Sequence, residues 1–108
     1  VSSYPVYLLP GAQQDLLELH KYVTMHDSLR KADGLIENLY KVCLRLTTMP
    51  DSGRVPPELQ RIGSKDFKEI ILKPYRVIYK PTKNRVLVYC ILDGRRDLQD
   101  LLAERLLR

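Results

Sequence analysis

No apolar run in the 108-residue sequence is long enough to cross a bilayer, which excludes a membrane-spanning role. The opening residues, VSSYPVYLLPG, lack the succession of basic segment, apolar stretch and small-residue cleavage site that directs export, so a cytoplasmic location is expected. Cysteine is scarce. Cys43 and Cys90 lie in apolar surroundings without the spacing of a zinc site or a disulfide framework, and two reduced core thiols are expected, although their separation alone does not forbid a bridge. No metal or other cofactor is expected. Histidine is as scarce, with only His20 and His26, and the chain has neither an internal repeat nor a low-complexity tract.

What is present describes one globular domain over residues 1–108, with 44% apolar and 29% charged residues, long enough to bury a core without staples. The net charge of +5 is unevenly placed. Residues 1–50 hold five Lys/Arg and five Asp/Glu, and residues 51–108 hold thirteen and eight, so the whole excess belongs to the second half. Either that half faces an anionic partner or its Lys and Arg are ordinary solvated positions, and charge alone does not choose.

The order of elements can be read from patterning. Tyr4 to Leu9 is β-branched and aromatic and is stopped by Pro10-Gly11, a short first strand. Ala12, Leu16, Leu19 and Val23 then recur with helical period, and after the break at His26-Asp27-Ser28, where Ser28 can cap, so do Ala32, Leu35, Ile36, Leu39, Val42, Cys43 and Leu46, as far as Met49-Pro50. These predict an antiparallel helical hairpin. Residues 50–58 read as a loop, and strand-like runs follow: LQRIG from Leu59, FKEIILK, YRVIYK and RVLVYCIL, separated by turn formers at Lys73-Pro74 and Pro81 to Asn84. Val86 to Leu92 is apolar at every position, which suits a central strand covered on both faces. The final segment from Asp97 to Arg108 is a helix, with Asp97 as its cap, too apolar to stand alone in water, so it packs on the sheet or docks on a partner. The fold class is α+β: an N-terminal strand, a helical hairpin, an antiparallel meander of three to four strands and a short C-terminal helix, with helices on one side of a largely antiparallel sheet.

Four pieces in this order resemble one family. Ala12 with Asp15-Leu16 and Tyr22, Leu46 with Pro50 and Gly53-Arg54, Pro74-Tyr75-Arg76-Val77-Ile78-Tyr79, and Gly94-Arg95-Arg96-Asp97-Leu98 after Val88 to Leu92 together resemble the RelE/ParE superfamily of type II toxin–antitoxin toxins, over nearly the whole chain. The resemblance implies a growth-inhibiting, plasmid-stabilisation type of toxin, neutralised by a cognate acidic antitoxin in a hetero-oligomer. It implies one of two modes of action. RelE-like members cut messenger RNA on the ribosome, and ParE-like members inhibit DNA gyrase by binding it.

RNA cleavage through the 2′-hydroxyl needs a proton acceptor, a proton donor and positive charge at the phosphate. The RelE-like set uses lysines before the YR strand, the YR arginine, an arginine in the sheet-ending turn and a late tyrosine. On this sequence the arginines fall on Arg76 and Arg96, but the lysine positions fall on Phe67 and Glu69 and the tyrosine position on Leu102. Lys68, Lys73, Tyr79 and Tyr89 are the remaining substitutes, and a one-residue offset turns Lys68 to the other face of its strand. The expectation is therefore the ParE-like, non-enzymatic mode, with mRNA cleavage as the alternative. Arg54, Arg61, Arg76, Arg95 and Arg96 are the expected charged contacts to target or antitoxin, with Tyr4, Tyr40, Leu101 and Leu102 as apolar anchors.

Overall fold

The computed structural model describes residues 3–107. Strand β1 (Val6–Leu8) is shorter than the apolar run that announces it, and helix α1 (Pro10–His26) starts with Pro10 in its first turn, where a missing N–H removes no helical bond. Helix α2 (Leu29–Arg45) is capped by Ser28, whose side chain accepts the Lys31 N–H at 3.1 Å. It stops four residues earlier than its periodicity suggests, passing into tight turns from Leu46 to Ser52.

The run LQRIG is not a strand. Residues Pro57–Gln60 form a short helix, α3, with Pro56 before it and Pro57 in its first turn setting φ for helix, and Gly63 at φ 78° leads the chain out of the turn. The place expected for a strand beside FKEIILK is taken by a single bridge, in which Arg54 and Glu69 exchange backbone hydrogen bonds at 3.0 and 2.7 Å.

Strands β2 (Lys68–Leu72), β3 (Tyr75–Pro81) and β4 (Val86–Asp93) form the antiparallel meander, and β1 joins β4 in parallel, giving a four-stranded sheet in the order β1-β4-β3-β2. The register between β3 and β4 shifts at Ile78/Tyr79, so that Ile78 faces Cys90 and Tyr79 faces Val88, with Tyr89 as the extra residue of a bulge. Helix α4 (Gln99–Leu106) closes the chain; Asp97 accepts the Gln99 N–H at 3.1 Å, one residue ahead of the Leu98 cap position.

Each face of β3 and β4 is covered, as the unbroken apolar run of β4 requires. The hairpin of α1 and α2 packs Ala12, Leu16, Leu39 and Val42 onto Val77, Tyr79, Val86, Val88 and Ile91. On the other face Leu98, Leu102 and Leu106 of the terminal segment, with Leu59 and Phe67, cover Ile78, Cys90 and Leu92. The helices are thus not confined to one side: the molecule has three layers, and its own tail fills the face that a partner was a candidate to fill. Full burial of one such leucine or isoleucine is worth about 1.5–3 kcal/mol, and α4 and the residue before it bury three on the chain's own sheet. Among the described residues no helix is long and apolar enough to cross a membrane, and both thiols are free and buried, their pKa values pushed up to about 11 by burial.

Candidate functional site

Arg76 sits in the middle of β3 on the α4 side of the sheet and is only 8% exposed. Its Nη1 and Nη2 donate to the two carboxylate oxygens of Glu58, each at 2.7 Å, and its Nε donates to Glu69 at 2.6 Å. Glu69 is itself fully buried and also accepts from Arg54 Nε at 2.9 Å. The bidentate bond to Glu58 raises the Arg76 pKa and lowers that of Glu58 below the usual carboxylate range, so both stay charged. An arginine buried without partners would be prohibitively costly, and two carboxylates remove that cost. The fork that would grip a phosphate is therefore filled from within the chain. Arg76, expected as an external contact, is held as part of the fold.

Register explains how the partners meet. Glu69 lies opposite Ile78 and two residues along from the position opposite Arg76, a diagonal pair on one face of the β2–β3 ladder. Glu58 arrives from α3, which is moored to the terminal helix by Gln99, whose side-chain amide donates to the Glu58 carbonyl at 2.9 Å. Gly94 leaves the room: a Cβ there would lie 2.6 Å from Arg76 Cδ.

The other expected site residues are dispersed. Lys68 is opposite Tyr79, on the hairpin side of the sheet, away from Arg76. Tyr89 is half-buried with its ring edge-on to Phe67 at 5.0 Å. Arg61 donates to the Gln99 side chain at 3.2 Å, and Arg95 grips Asp93 with Nε and Nη2 at 3.0 and 2.7 Å, lowering the Asp93 pKa. Arg96 is exposed and lines a cavity of about 400 Å³ with Asp15, Tyr22 and Asp93, whereas Arg76 and Lys73 line another of about 370 Å³. The two arginines of the expected nuclease set therefore do not share a cleft. Leu102 is fully buried and Leu101 half-buried against the same core, so Leu102 has no surface to offer a partner. Tyr4 packs half-buried against the hairpin core, while Tyr40 is 47% exposed over an apolar groove with Tyr7 and Leu17.

Neither histidine reaches the sheet's arginines. His20 Nε2 pairs with Asp33 at 2.7 Å, tying α1 to α2, and His26 stacks on Tyr22. Among the described residues no group of His, Cys, Asp and Glu is arranged to hold a metal.

Two features escaped the sequence reading. Asp15, noticed only as part of a helix-opening motif, accepts the Ile91 N–H at 2.9 Å and pairs with Arg105 of α4 at 2.9 Å, while Arg105 donates to the Tyr89 carbonyl at 3.1 Å. The pair spans the edge of β4 beyond the end of β1. Tyr79, with its pKa raised by burial, has its hydroxyl accepting the Gly53 N–H at 2.9 Å, so that β3 anchors the loop leading to Arg54. A Cβ at Gly53 would collide with the Glu69 carbonyl and the Tyr79 hydroxyl, which accounts for a glycine there.

This architecture is similar to that of a solved structure described as the chromosomal ParDE TA system from P. aeruginosa, with a TM-score of 0.71 at 12% identity, covering 84% of this chain and 96% of that one. No curated protein matches the sequence. The model of the family described as the ParE toxin of the type II toxin–antitoxin system parDE matches residues 6–98, nearly the whole of the ordered core. With strand, hairpin, meander and sheet-ending turn all inside that span, the chain belongs to the ParE toxin family of type II toxin–antitoxin systems.

Proposed function

We propose that this toxin arrests growth in the cytoplasm without catalysing a reaction, by binding DNA gyrase, and that a cognate acidic antitoxin neutralises it by forming a complex. The observation that carries the non-catalytic part is the occupied fork of Arg76, which is bound to Glu58 and Glu69 at 2.6–2.7 Å. An arginine so compensated adds little to the stabilisation of a phosphate gaining charge. Arg96, the second expected arginine, opens into a different cavity, and the histidines lie on α1. A proton acceptor typically contributes a factor of roughly a hundred or more to such a cleavage, and the carboxylates beside Arg76, those of Glu58 and Glu69, are both engaged by its guanidinium. Membership of the ParE toxin family supports gyrase as the target and an antitoxin as the partner. The exposed Arg54, Arg61, Arg95 and Arg96, all from the basic second half, with Leu101 at the rim of the terminal helix, are the contacts proposed for these partners.

Induction of the chain alone is expected to arrest growth, and purified protein is expected to inhibit supercoiling by gyrase while leaving ribosome-bound mRNA intact. Ribosome-dependent cleavage with normal supercoiling would reverse the mode of action. Unchanged growth, with soluble folded protein verified, would remove the toxin reading itself.

A further inference from the structure

Arg54, Arg76, Arg95 and Arg105 are each held by a carboxylate of the chain. The cations at the end of the sheet where β3 turns into β4 are not. Antiparallel register brings the start of β2, the end of β3 and the start of β4 to that end, with Lys68 opposite Tyr79 and Pro81 opposite Val86. Residues 64–68 and 80–86, which make up these margins and the turn, hold five cations, Lys65, Lys68, Lys80, Lys83 and Arg85, against one carboxylate, Asp66. Among the described residues none of the five forms an ion pair. Most of the chain's excess charge is therefore gathered at one margin and left uncompensated there.

These cations stand on a fixed ridge. Thr82 closes the turn twice: its N–H donates to the Arg85 carbonyl at 2.8 Å, and its Oγ1 accepts the Arg85 N–H at 3.2 Å while donating to the same carbonyl at 2.9 Å. Lys83 and Arg85 are exposed at the crest. Lys68 lies on the hairpin side of the sheet with Tyr79, whereas Lys80 lies on the α4 side, its ammonium 5.7 Å from the centroid of the Phe67 ring. Positive charge thus flanks the ridge on both faces as well as topping it.

The surroundings select among polyanions. None of the large exposed apolar side chains falls in residues 64–68 or 80–86, so an acidic peptide finds charge here but no anchor for its own apolar residues. Single-stranded nucleic acid draws on aromatic platforms, and Phe67, the one aromatic residue of these segments, is buried beneath Lys80. A duplex needs neither. Its affinity comes from phosphates neutralised by Lys and Arg, and the B-form major groove, about 12 Å wide, admits a two-stranded ribbon with a phosphate strand on either side. The deep, narrow major groove of duplex RNA does not.

We propose that the β3–β4 turn is a docking site for the phosphate backbone of double-stranded DNA. Lys83 and Arg85 at the crest, with Lys68 and Lys80 on the two faces and Lys65 beside them, meet phosphates of the two strands. The contact is sequence-independent, because it is made to the backbone. It also needs no rearrangement of the core, since the donors stand outside it on a turn already closed by Thr82.

The test is fluorescence anisotropy of a short labelled DNA duplex of mixed sequence titrated with the full chain at several salt concentrations. Single-stranded DNA, duplex RNA and polyglutamate serve as competitors. Binding is expected to weaken steeply with salt, with a slope of about −4 in the logarithmic plot for five phosphate contacts. Lys83→Ala combined with Arg85→Ala is expected to lower affinity about tenfold or more at low salt and to reduce that slope by about 2. Lys21→Ala combined with Arg30→Ala removes the same charge from exposed positions of the helical hairpin and is expected to bind as the parent does. Circular dichroism verifies that both variants are folded. Equal losses in the two variants, an unchanged slope in the turn variant, or stronger competition by single strands, duplex RNA or polyglutamate than by unlabelled duplex DNA would each overturn the proposal. Neither gyrase nor antitoxin is present in the titration, so DNA docking stands or falls separately from the target proposed above.

Discussion

The two faces of the sheet reach the same degree of burial by different means. On the hairpin face, Leu16, Leu39, Val42, Val77 and Val88 meet with no charged residue among them. On the α4 face, the apolar cluster around Ile78, Leu98 and Leu102 adjoins a buried arginine and a fully buried glutamate on the same sheet surface. The first face depends on fit alone. The second is conditional, because each ion is acceptable only while its partner is in place.

The largest expected effect separates the faces. Arg76→Ala leaves the buried Glu69 with Arg54 but without its buried partner, and should destabilise the chain by about 3 kcal/mol in a urea melt, more than a surface arginine can account for. Arg76→Met combined with Glu69→Leu and Glu58→Gln, which removes the three charges together, is expected to be the milder change. Acid should act on the same face. The Glu58 carboxyl is held below its ordinary value of 4.5 by Arg76, so its stabilising effect is complete above that value and is lost as pH falls through the lower, folded value. Stability measured from pH 6 downward should therefore decline below about pH 4.5, and the decline should be smaller in Glu58→Gln.

Tyr79 links the two faces, since its ring belongs to the hairpin core and its hydroxyl holds the loop that carries Arg54. Tyr79→Phe leaves the Gly53 N–H without its acceptor and is expected to cost about 1–3 kcal/mol, with faster amide exchange at Gly53 as the local signature. The smallest effect belongs to the hairpin alone. Ser28→Ala removes the cap of α2 and should cost about 1 kcal/mol, without altering the pH dependence set by Glu58. If Ser28→Ala proved as costly as Arg76→Ala, the contrast between the faces would be wrong.

The hairpin face was also the more legible in sequence. Ala12, Leu16 and Leu39 announce themselves by period, and Ser28 by its place before one. The apolar continuity of Val86 to Leu92 correctly demanded cover on both sides of β4, and the apolar tail from Leu98 supplied it. The α4 face was less readable because its determinants are pairings between segments. Residues 59–63 open the series of strand-like runs in the sequence, yet Pro56 and Pro57 start a helical turn there and Leu59 turns inward. Glu69 was visible as a carboxylate where the resemblance to RelE-like enzymes calls for lysine. What it does there, pairing diagonally with Arg76, follows from the register of β2 on β3, and Glu58 enters only once α3 is folded. Asp15 and Arg105 are 90 residues apart in sequence, and no local pattern joins them.

That last pair has a consequence for how the molecule behaves in company. Strand β1 pairs with only the first part of β4, through Val88, and beyond it the ladder would end in a raw margin of main-chain donors and acceptors, a template for recruiting strands from neighbouring copies. Asp15 covers the Ile91 donor and Arg105 the Tyr89 acceptor, two side chains of opposite sign standing in for a missing stretch of backbone. The margin is sealed as it is stitched to both outer layers, so the same ion pair that fastens the tail also acts as an end-stop against polymerisation.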